Sequence, residues 1–239
     1  MKKKKLIIIL LAIFVPLATL TSAFFIYVGN YYHSKLYEHE ENIKIIKENN
    51  YSLYYLDENI KDNLFIFYPG AKVESKAYEG LVENIALTGV DVILVDMPFN
   101  LAFFGMNRAS EIIDKYNYEH YYIGGHSLGS AMAASYAKDN ANKLDGTILF
   151  ASYATSTMPN TLKCLAIKGS NDKVINENKF NKNKTYFNND LYKEIIIEGG
   201  NHSNFGNYGL QKGDGEASIS KVEQWNITSK AILEIANMK

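Results

Sequence analysis

Residues 119–130 read EHYYIGGHSLGS, and they decide the fold of this 239-residue chain. The apolar residues 121–123 are typical of a short buried strand, and the alanine-rich residues 131–138 predict a helix. Between them lies a G-x-S-x-G motif whose serine is Ser127. Glycines on both sides let strand and helix approach at a sharp turn, which raises the serine hydroxyl clear of the sheet. The free amides at the helix start favour negative charge, so this context predicts a nucleophile rather than a loop that only caps a helix.

The rest of the chain alternates buried strands with helical segments. Such alternation predicts an α/β fold, with a mainly parallel central sheet covered by helices on both faces. In these sheets functional sites form at the carboxyl ends of the strands. The predicted strands cover residues 51–56, 63–68, 90–95, 121–123, 144–150, 161–167 and 193–197, and the predicted helices cover 75–87, 109–115, 131–138 and 219–238.

The first 30 residues differ from the rest in composition. Residues 6–28 form a nearly unbroken apolar run without charge, long enough to span a bilayer, and four lysines precede it at 2–5. Lysines remain on the cytoplasmic side, so the following domain is expected outside the cell membrane. The small residues 21–23 also permit a cleaved signal peptide; the apolar run continues beyond them, which favours an uncleaved anchor. Both alternatives export the domain.

Composition bounds the domains and the classes of partner. We assign residues 1–30 to a signal anchor or transmembrane helix, 31–50 to a linker or stalk helix, and 51–239 to one globular domain with a sizeable core. Without lysines 2–5 the chain has 21 basic and 26 acidic residues, a net charge of −5, which argues against a nucleic-acid partner. The single cysteine, Cys164, excludes an intramolecular disulfide.

Acyl transfer by a serine requires a base and a carboxylate that orients the base. His202 follows the last predicted strand and is our candidate base, because His120 lies at the wrong end of its strand and His126 is expected to turn away from the nucleophile. Asp172 follows the preceding strand, and serine, aspartate and histidine then occur in the chain order typical of this fold.

An oxyanion hole requires two backbone N–H groups. The residue after the nucleophile, Leu128, is expected to supply one of them. The loop after an early strand supplies the other, and here Ala71 is the candidate, with its neighbour Gly70 as the alternative.

These motifs together resemble the α/β-hydrolase superfamily, in particular small bacterial members similar to dienelactone hydrolases. The resemblance covers about residues 50–238. It implies a serine esterase-type hydrolase without cofactor or metal. Dienelactone hydrolases use a cysteine nucleophile, whereas this chain has Ser127 there and Cys164 within a strand, so their substrate does not carry over. The motifs are YPGA at 68–71, GHSLG at 125–129, GSND at 169–172, GNH at 200–202 and the glycine-rich residues 205–215.

Two loops are expected to shape the substrate site. The connection 150–161 is too short for a cap domain. The loop 97–106 is unusually apolar, and its Phe99, Phe103 and Phe104 are candidates for an acyl-pocket wall or lid; the alternative is a loop tucked into the core. Asp214 lies between two glycines and is interpreted as a turn residue, since one carboxylate is too few for a cation site.

The leading hypothesis is a membrane-tethered, extracytoplasmic serine hydrolase that cleaves small or lipid-like carboxylic esters. Thioester or amide hydrolysis and acyl transfer to envelope components stay open, because the same triad serves them all. A non-catalytic binding protein on the same scaffold is the alternative from another class. Oligomeric state and substrate identity are not predicted.

Overall fold

The computed structural model describes residues 2–56 and 62–238, and the chain divides into two compact units, Met1–Tyr31 and Tyr32–Lys239. The first unit is helix α1, Lys2–Gly29. Its segment Ile7–Gly29 has 23 residues and a mean hydropathy of 2.5, which is long and apolar enough to cross a membrane. A signal sequence has the same length and composition, so this helix fits both alternatives.

The strands in the described part of the second unit form a single sheet. Their order across the sheet is β1-β2-β4-β3-β5-β6-β7-β8. Strand β2 pairs antiparallel with β1 and with β4, and every other neighbouring pair is parallel. This confirms the predicted mainly parallel sheet. The strands are β1 Lys44–Lys47, β2 Tyr51–Tyr55, β3 Asn63–Tyr68, β4 Asp91–Val95, β5 His120–His126, β6 Gly146–Phe150, β7 Lys163–Gly169 and β8 Tyr192–Ile197.

Helices cover both faces of the sheet, as predicted. Successive residues of a strand point to opposite faces, so Phe65 and Phe67 of β3 pack in one core with α2 and α6. Leu64 and Ile66 pack in the other core with α3 and α4. The helices of this unit are α2 Glu79–Ala86, α3 Arg108–Lys115, α4 Leu128–Asp139, α5 Glu177–Asn183 and α6 Lys221–Ala236.

The helix predicted within residues 31–50 is wrong. These residues instead run extended and then form β1, which pairs with β2 as a hairpin. Two of the apolar positions behind the prediction, Leu36 and Ile46, are exposed, and only Ile43 is buried, so no apolar helix face exists. We expected the globular domain to cover residues 51–239, but the compact unit begins at Tyr32. Residues 57–61 and 239 lie outside the described residues.

Hydrogen bonds explain why residues 32–43, here called the strap, leave the helical conformation. Tyr32 N–H donates to Lys72 O (2.7 Å), and Glu74 N–H donates to Tyr32 O (3.0 Å). Farther along, the fully buried carboxylate of Glu83 accepts the amide of Glu40 (2.9 Å) and contacts His39. These tertiary bonds satisfy backbone groups that a helix would otherwise pair internally, and they override a weak local periodicity.

Candidate active site

Ser127 lies between the end of β5 and the start of α4, on the sharp turn that the sequence predicts. Its backbone has φ 52° and ψ −120°, a strained conformation for a residue with a side chain. A Cβ atom at Gly125 would lie 2.0 Å from Tyr68 O, and one at Gly129 would lie 2.2 Å from the same oxygen. Both positions therefore require glycine, and Ser127 N–H is held by Phe150 O at 2.9 Å.

His202 and Asp172 meet at the same edge of the sheet, on the loops after β8 and β7. Nδ1 of His202 lies 2.9 Å from Oδ2 of Asp172, and both side chains are buried. The other carboxylate oxygen accepts the amides of Val174 (2.8 Å) and Ile175 (2.9 Å), which fixes the carboxylate plane. The carboxylate favours a proton on Nδ1, and Nε2 is then left with a lone pair that can accept a proton.

Nε2 of His202 is buried and has no hydrogen-bond partner within the described residues. No hydrogen bond to Ser127 is therefore formed in this structure. Catalytic hydrogen bonds are often long before substrate binds and shorten in the complex. The free Nε2 is thus available to the hydroxyl of Ser127 or to a leaving group.

The two predicted oxyanion donors lie at the start of α4 and on the loop after β3, residues 69–72, here called the oxyanion loop. In this loop, Gly70 N–H donates to Tyr78 Oη (3.1 Å) and Lys72 N–H donates to Asn100 O (2.7 Å). Among the residues that the structure describes, Ala71 N–H between them has no acceptor, which favours Ala71 over Gly70. Leu128 is the first residue of α4, where a helix leaves its amides without an internal partner.

His126 makes a contact that the sequence did not predict. Its side chain is fully buried, its Nδ1 lies 2.8 Å from Tyr78 Oη, and its ring centroid lies 4.4 Å from that of His202. Burial, and then the neighbouring His202, hold the pKa of His126 well below its usual value, so this ring stays neutral. Because Tyr78 Oη also accepts the amide of Gly70, contacts through Tyr78 and His126 join the oxyanion loop to His202, the candidate base.

Asp214 is a second site residue that sequence reasoning missed. Its Oδ2 accepts the amide (2.8 Å) and hydroxyl (2.6 Å) of Ser203, the neighbour of His202. Its Oδ1 accepts the amides of Lys173 (3.2 Å), the neighbour of Asp172, and of Gly215 (2.9 Å). One carboxylate therefore fastens both loops that carry the Asp172–His202 pair, although no motif in the sequence marks it.

The aromatic side chains of the 97–106 loop are exposed rather than tucked into the core. Phe99, Phe103 and Phe104 are 45%, 69% and 47% exposed, and Phe104 packs edge-to-face on both of the others. Phe99 and Asn100 have φ of 56° and 54°, and Asn100 O binds the amide of Lys72 in the oxyanion loop. The loop is thus strained and fixed beside the candidate site, while its Ala102 is buried.

The structure also bears on a cap domain, on metal binding and on Cys164 as a nucleophile. The connection between β6 and β7 contains no helix or strand, which leaves no cap domain there. Within residues 2–56 and 62–238, no group of three or more His, Cys, Asp or Glu side chains is arranged to hold a metal ion. Cys164 is buried in β7, and burial raises the pKa of its thiol, which disfavours the reactive thiolate.

Comparisons with known proteins agree with this fold. Residues 64–226 match the profile of the Alpha/beta hydrolase family, more than half of the chain. Among solved structures, alpha/beta hydrolase domain-containing protein 10 from mouse shares 13% identity at a TM-score of 0.57 and covers 80% of this chain and 98% of its own. Est1E from Butyrivibrio proteoclasticus, with ferulic acid bound, shares 14% at 0.58 and covers 84% and 98%. TT1662 from Thermus thermophilus shares 10% at 0.59 and covers 82% and 99%.

A search of curated proteins found no match. At these identities the solved structures support the fold alone.

Proposed function

Because the chain belongs to the alpha/beta hydrolase family, we propose that it is a serine hydrolase that cleaves carboxylic esters. Ser127 is the nucleophile, His202 the general base and Asp172 the carboxylate that orients it. The observation that carries this proposal is the 2.9 Å contact between Asp172 and Nδ1 of His202. It leaves Nε2 of His202 without a described partner, at the edge of the sheet where Ser127 also lies.

The reaction follows from these positions in two halves. Nε2 of His202 takes the hydroxyl proton as Ser127 Oγ attacks the acyl carbon, and the carbonyl oxygen becomes an oxyanion. The amides of Leu128 and Ala71 donate to that oxyanion. The C–O bond to the alcohol then breaks, and His202 returns its proton to the leaving oxygen. Water repeats the sequence on the acyl-enzyme and releases the carboxylic acid.

The exposed aromatic residues of the 97–106 loop support a role in acyl binding. Phe99, Phe103 and Phe104 offer an apolar surface that is fixed to the oxyanion loop through Asn100 and Lys72. An apolar acyl chain that packs on this exposed surface would shield it from water. We assign these three residues to the wall of the acyl site.

The N-terminal helix supports a membrane-tethered, extracytoplasmic enzyme. Lysines 2–5 precede Ile7–Gly29, and this order of charge and apolar run supports an orientation with the following domain outside the cytoplasm. The mass of the native protein tests the tether, because cleavage near residue 23 would remove most of α1 and leave a secreted enzyme.

The activity is tested with p-nitrophenyl esters of increasing acyl length. Their hydrolysis by the full-length protein is measured in detergent. The panel includes a feruloyl ester, because Est1E binds ferulic acid. We expect turnover that Ser127→Ala and His202→Ala abolish and that Asp172→Asn lowers by about 10⁴-fold. Turnover of thioesters or amides alone would assign the alternative hydrolase classes, and acyl transfer to an added alcohol without net hydrolysis would assign a transferase. A folded protein inert to all of these would support a binding protein.

A further inference from the structure

One cavity in the described part of the chain is lined by two lysines and two tyrosines. Its volume is about 270 Å³, and it lies between the loop after β6 and helix α5. We call it the lysine–tyrosine pocket. It is lined by Tyr153, Ala154, Thr155, Lys179, Lys182 and Tyr186.

The chain path places this pocket close to Ser127. The amide of Ser127 is bonded to Phe150 O, and Tyr153 follows Phe150 by three residues, at most about 11 Å along the chain. The amide of Ala154 donates to Oδ1 of the buried Asn183 in α5 (2.7 Å), and this hydrogen bond joins the loop to the helix. Helix α5 itself follows the loop that carries Asp172.

Two positive charges at the pocket have no negative partner among the residues that the structure describes. Nζ of Lys179 lies 5.8 Å from the ring centre of Tyr153, and Nζ of Lys182 lies 5.5 Å from that of Tyr186. Neither ammonium group forms an ion pair with any described residue. The acidic residue of the same helix, Glu177, is already bound by the buried Lys168. These cations stand out in a chain that has a net charge of −5 beyond its N-terminal lysines.

The pocket therefore has the chemistry of an anion site. Ammonium groups are strong donors to carboxylate and phosphate oxygens, and the hydroxyls of Tyr153, Tyr186 and Thr155 add further donors. Contact of each ammonium group with a tyrosine ring restricts the lysine side chain, which lowers the entropy lost when an anion binds.

We propose that the lysine–tyrosine pocket binds an anionic group of the substrate, so that the preferred esters carry a carboxylate or a phosphate some atoms away from the scissile bond. The inference rests on the proposed function for the cleavage step at Ser127. Binding of the anion by Lys179 and Lys182 does not depend on that step.

The catalytic test compares paired esters that differ in one charge. Mono-p-nitrophenyl esters of dicarboxylic acids with four to eight carbons are measured against neutral p-nitrophenyl esters of the same chain length. We expect kcat/KM at least tenfold higher for the anionic ester at one or more lengths. Lys179→Gln/Lys182→Gln should bring the ratio of kcat/KM for the anionic ester to kcat/KM for the neutral ester close to one. Lys184→Gln, an exposed lysine of the same segment outside the pocket, is the matched control.

A binding test separates failure of the pocket from failure of the proposed function. Glutarate and inorganic phosphate are titrated calorimetrically into full-length Ser127→Ala protein in detergent, at low ionic strength. We expect binding that Lys179→Gln/Lys182→Gln weakens at least tenfold and Lys184→Gln leaves unchanged; the tighter of the two probes identifies the anion as carboxylate or phosphate. Equal affinity in the double variant, or no binding of either probe, overturns the proposal whether or not the protein hydrolyses esters.

Discussion

Replacing Asp214 by alanine tests whether this carboxylate positions the candidate acid and base. The side chain accepts hydrogen bonds from Ser203 and Lys173, the residues that directly follow His202 and Asp172. Asp214 is not expected to touch the substrate. Its removal should therefore act through the geometry of the two loops, as expected of a positioning residue.

The structure gives the size of the expected effect. Lys173 is exposed, so water replaces Asp214 at its amide, whereas Ser203 is only 2% exposed. The Ser203 hydroxyl can rotate to another acceptor, but its amide cannot. An unsatisfied buried amide costs about 1–3 kcal/mol. If the loop moves to relieve this cost, His202 leaves its catalytic position, and the same energy corresponds to a loss of about 5- to 150-fold in kcat.

The assay is kcat and KM on a neutral p-nitrophenyl ester, together with the pH profile of kcat/KM. Asp214→Ala should lower kcat, leave KM within about twofold, and move the acid limb of the profile, because that limb reports protonation of the general base. Asp214→Asn keeps one acceptor oxygen, so it should retain an intermediate kcat. Glu216→Ala removes the same charge from an exposed side chain two residues away and is the matched control.

A kcat within twofold of the wild type, with an unchanged pH profile, would refute the positioning role of Asp214. A fall in kcat that matches the unfolded fraction of the sample, together with a lowered unfolding midpoint in Asp214→Asn, would indicate general destabilisation instead.

Three further changes test the oxyanion loop, the buried histidine and the strap. Ala71→Pro removes the candidate oxyanion donor and should lower kcat by about 10²–10³-fold, whereas Ala71→Gly keeps the amide and should stay near wild type in the same ester assay. The pKa of His126 is well below 6.5 in the folded protein, so below pH 6.5 the unfolded chain binds a proton that the folded chain does not. Stability then falls as pH falls, by up to about 1.4 kcal/mol per pH unit; His126→Gln should lose this contribution in urea unfolding at pH 7.5 and 5.5. Glu83→Ala removes the buried carboxylate that binds the strap and should cost about 1–3 kcal/mol of unfolding free energy.

Each of these expectations can be contradicted. Equal kcat in Ala71→Pro and Ala71→Gly would exclude that amide as a donor. A pH dependence in His126→Gln as steep as in the wild type would assign the slope to other groups. If Glu83→Ala unfolds like the wild type, the bonds between Glu83 and the strap do not contribute to the stability of the domain.

The parts of the site that the sequence predicted are those governed by local rules. The buried strand at 63–68 is a continuous apolar run, and a strand buried on both faces needs no alternation to be recognised. Gly125 and Gly129, on either side of Ser127, are required because a Cβ atom at either position would lie within 2.0–2.2 Å of the carbonyl oxygen of Tyr68. Because chain order is set by the fold, Asp172 and His202 could be selected from the ends of two adjacent strands, β7 and β8.

The parts that the sequence did not predict depend on contacts between distant residues. The ring of His126 packs on that of His202, 76 residues later in the chain. Neither the spacing of apolar residues nor a sequence motif predicts this contact. Asp214 between two glycines has the chemistry of a turn residue, and only the folded loops bring Ser203 and Lys173 to its carboxylate. Residues 33–50 show a weak helical period, yet backbone pairing of Tyr32 with the Lys72–Glu74 segment determines their conformation.

The most direct test of the account is the site of covalent labelling. The full-length protein in detergent is treated with a fluorophosphonate, digested, and mapped by mass spectrometry. We predict one adduct, on Ser127, absent in Ser127→Ala and formed much more slowly in His202→Ala. No adduct on a folded sample, or an adduct that persists in Ser127→Ala, would contradict the assignment of Ser127 as the nucleophile of a serine hydrolase.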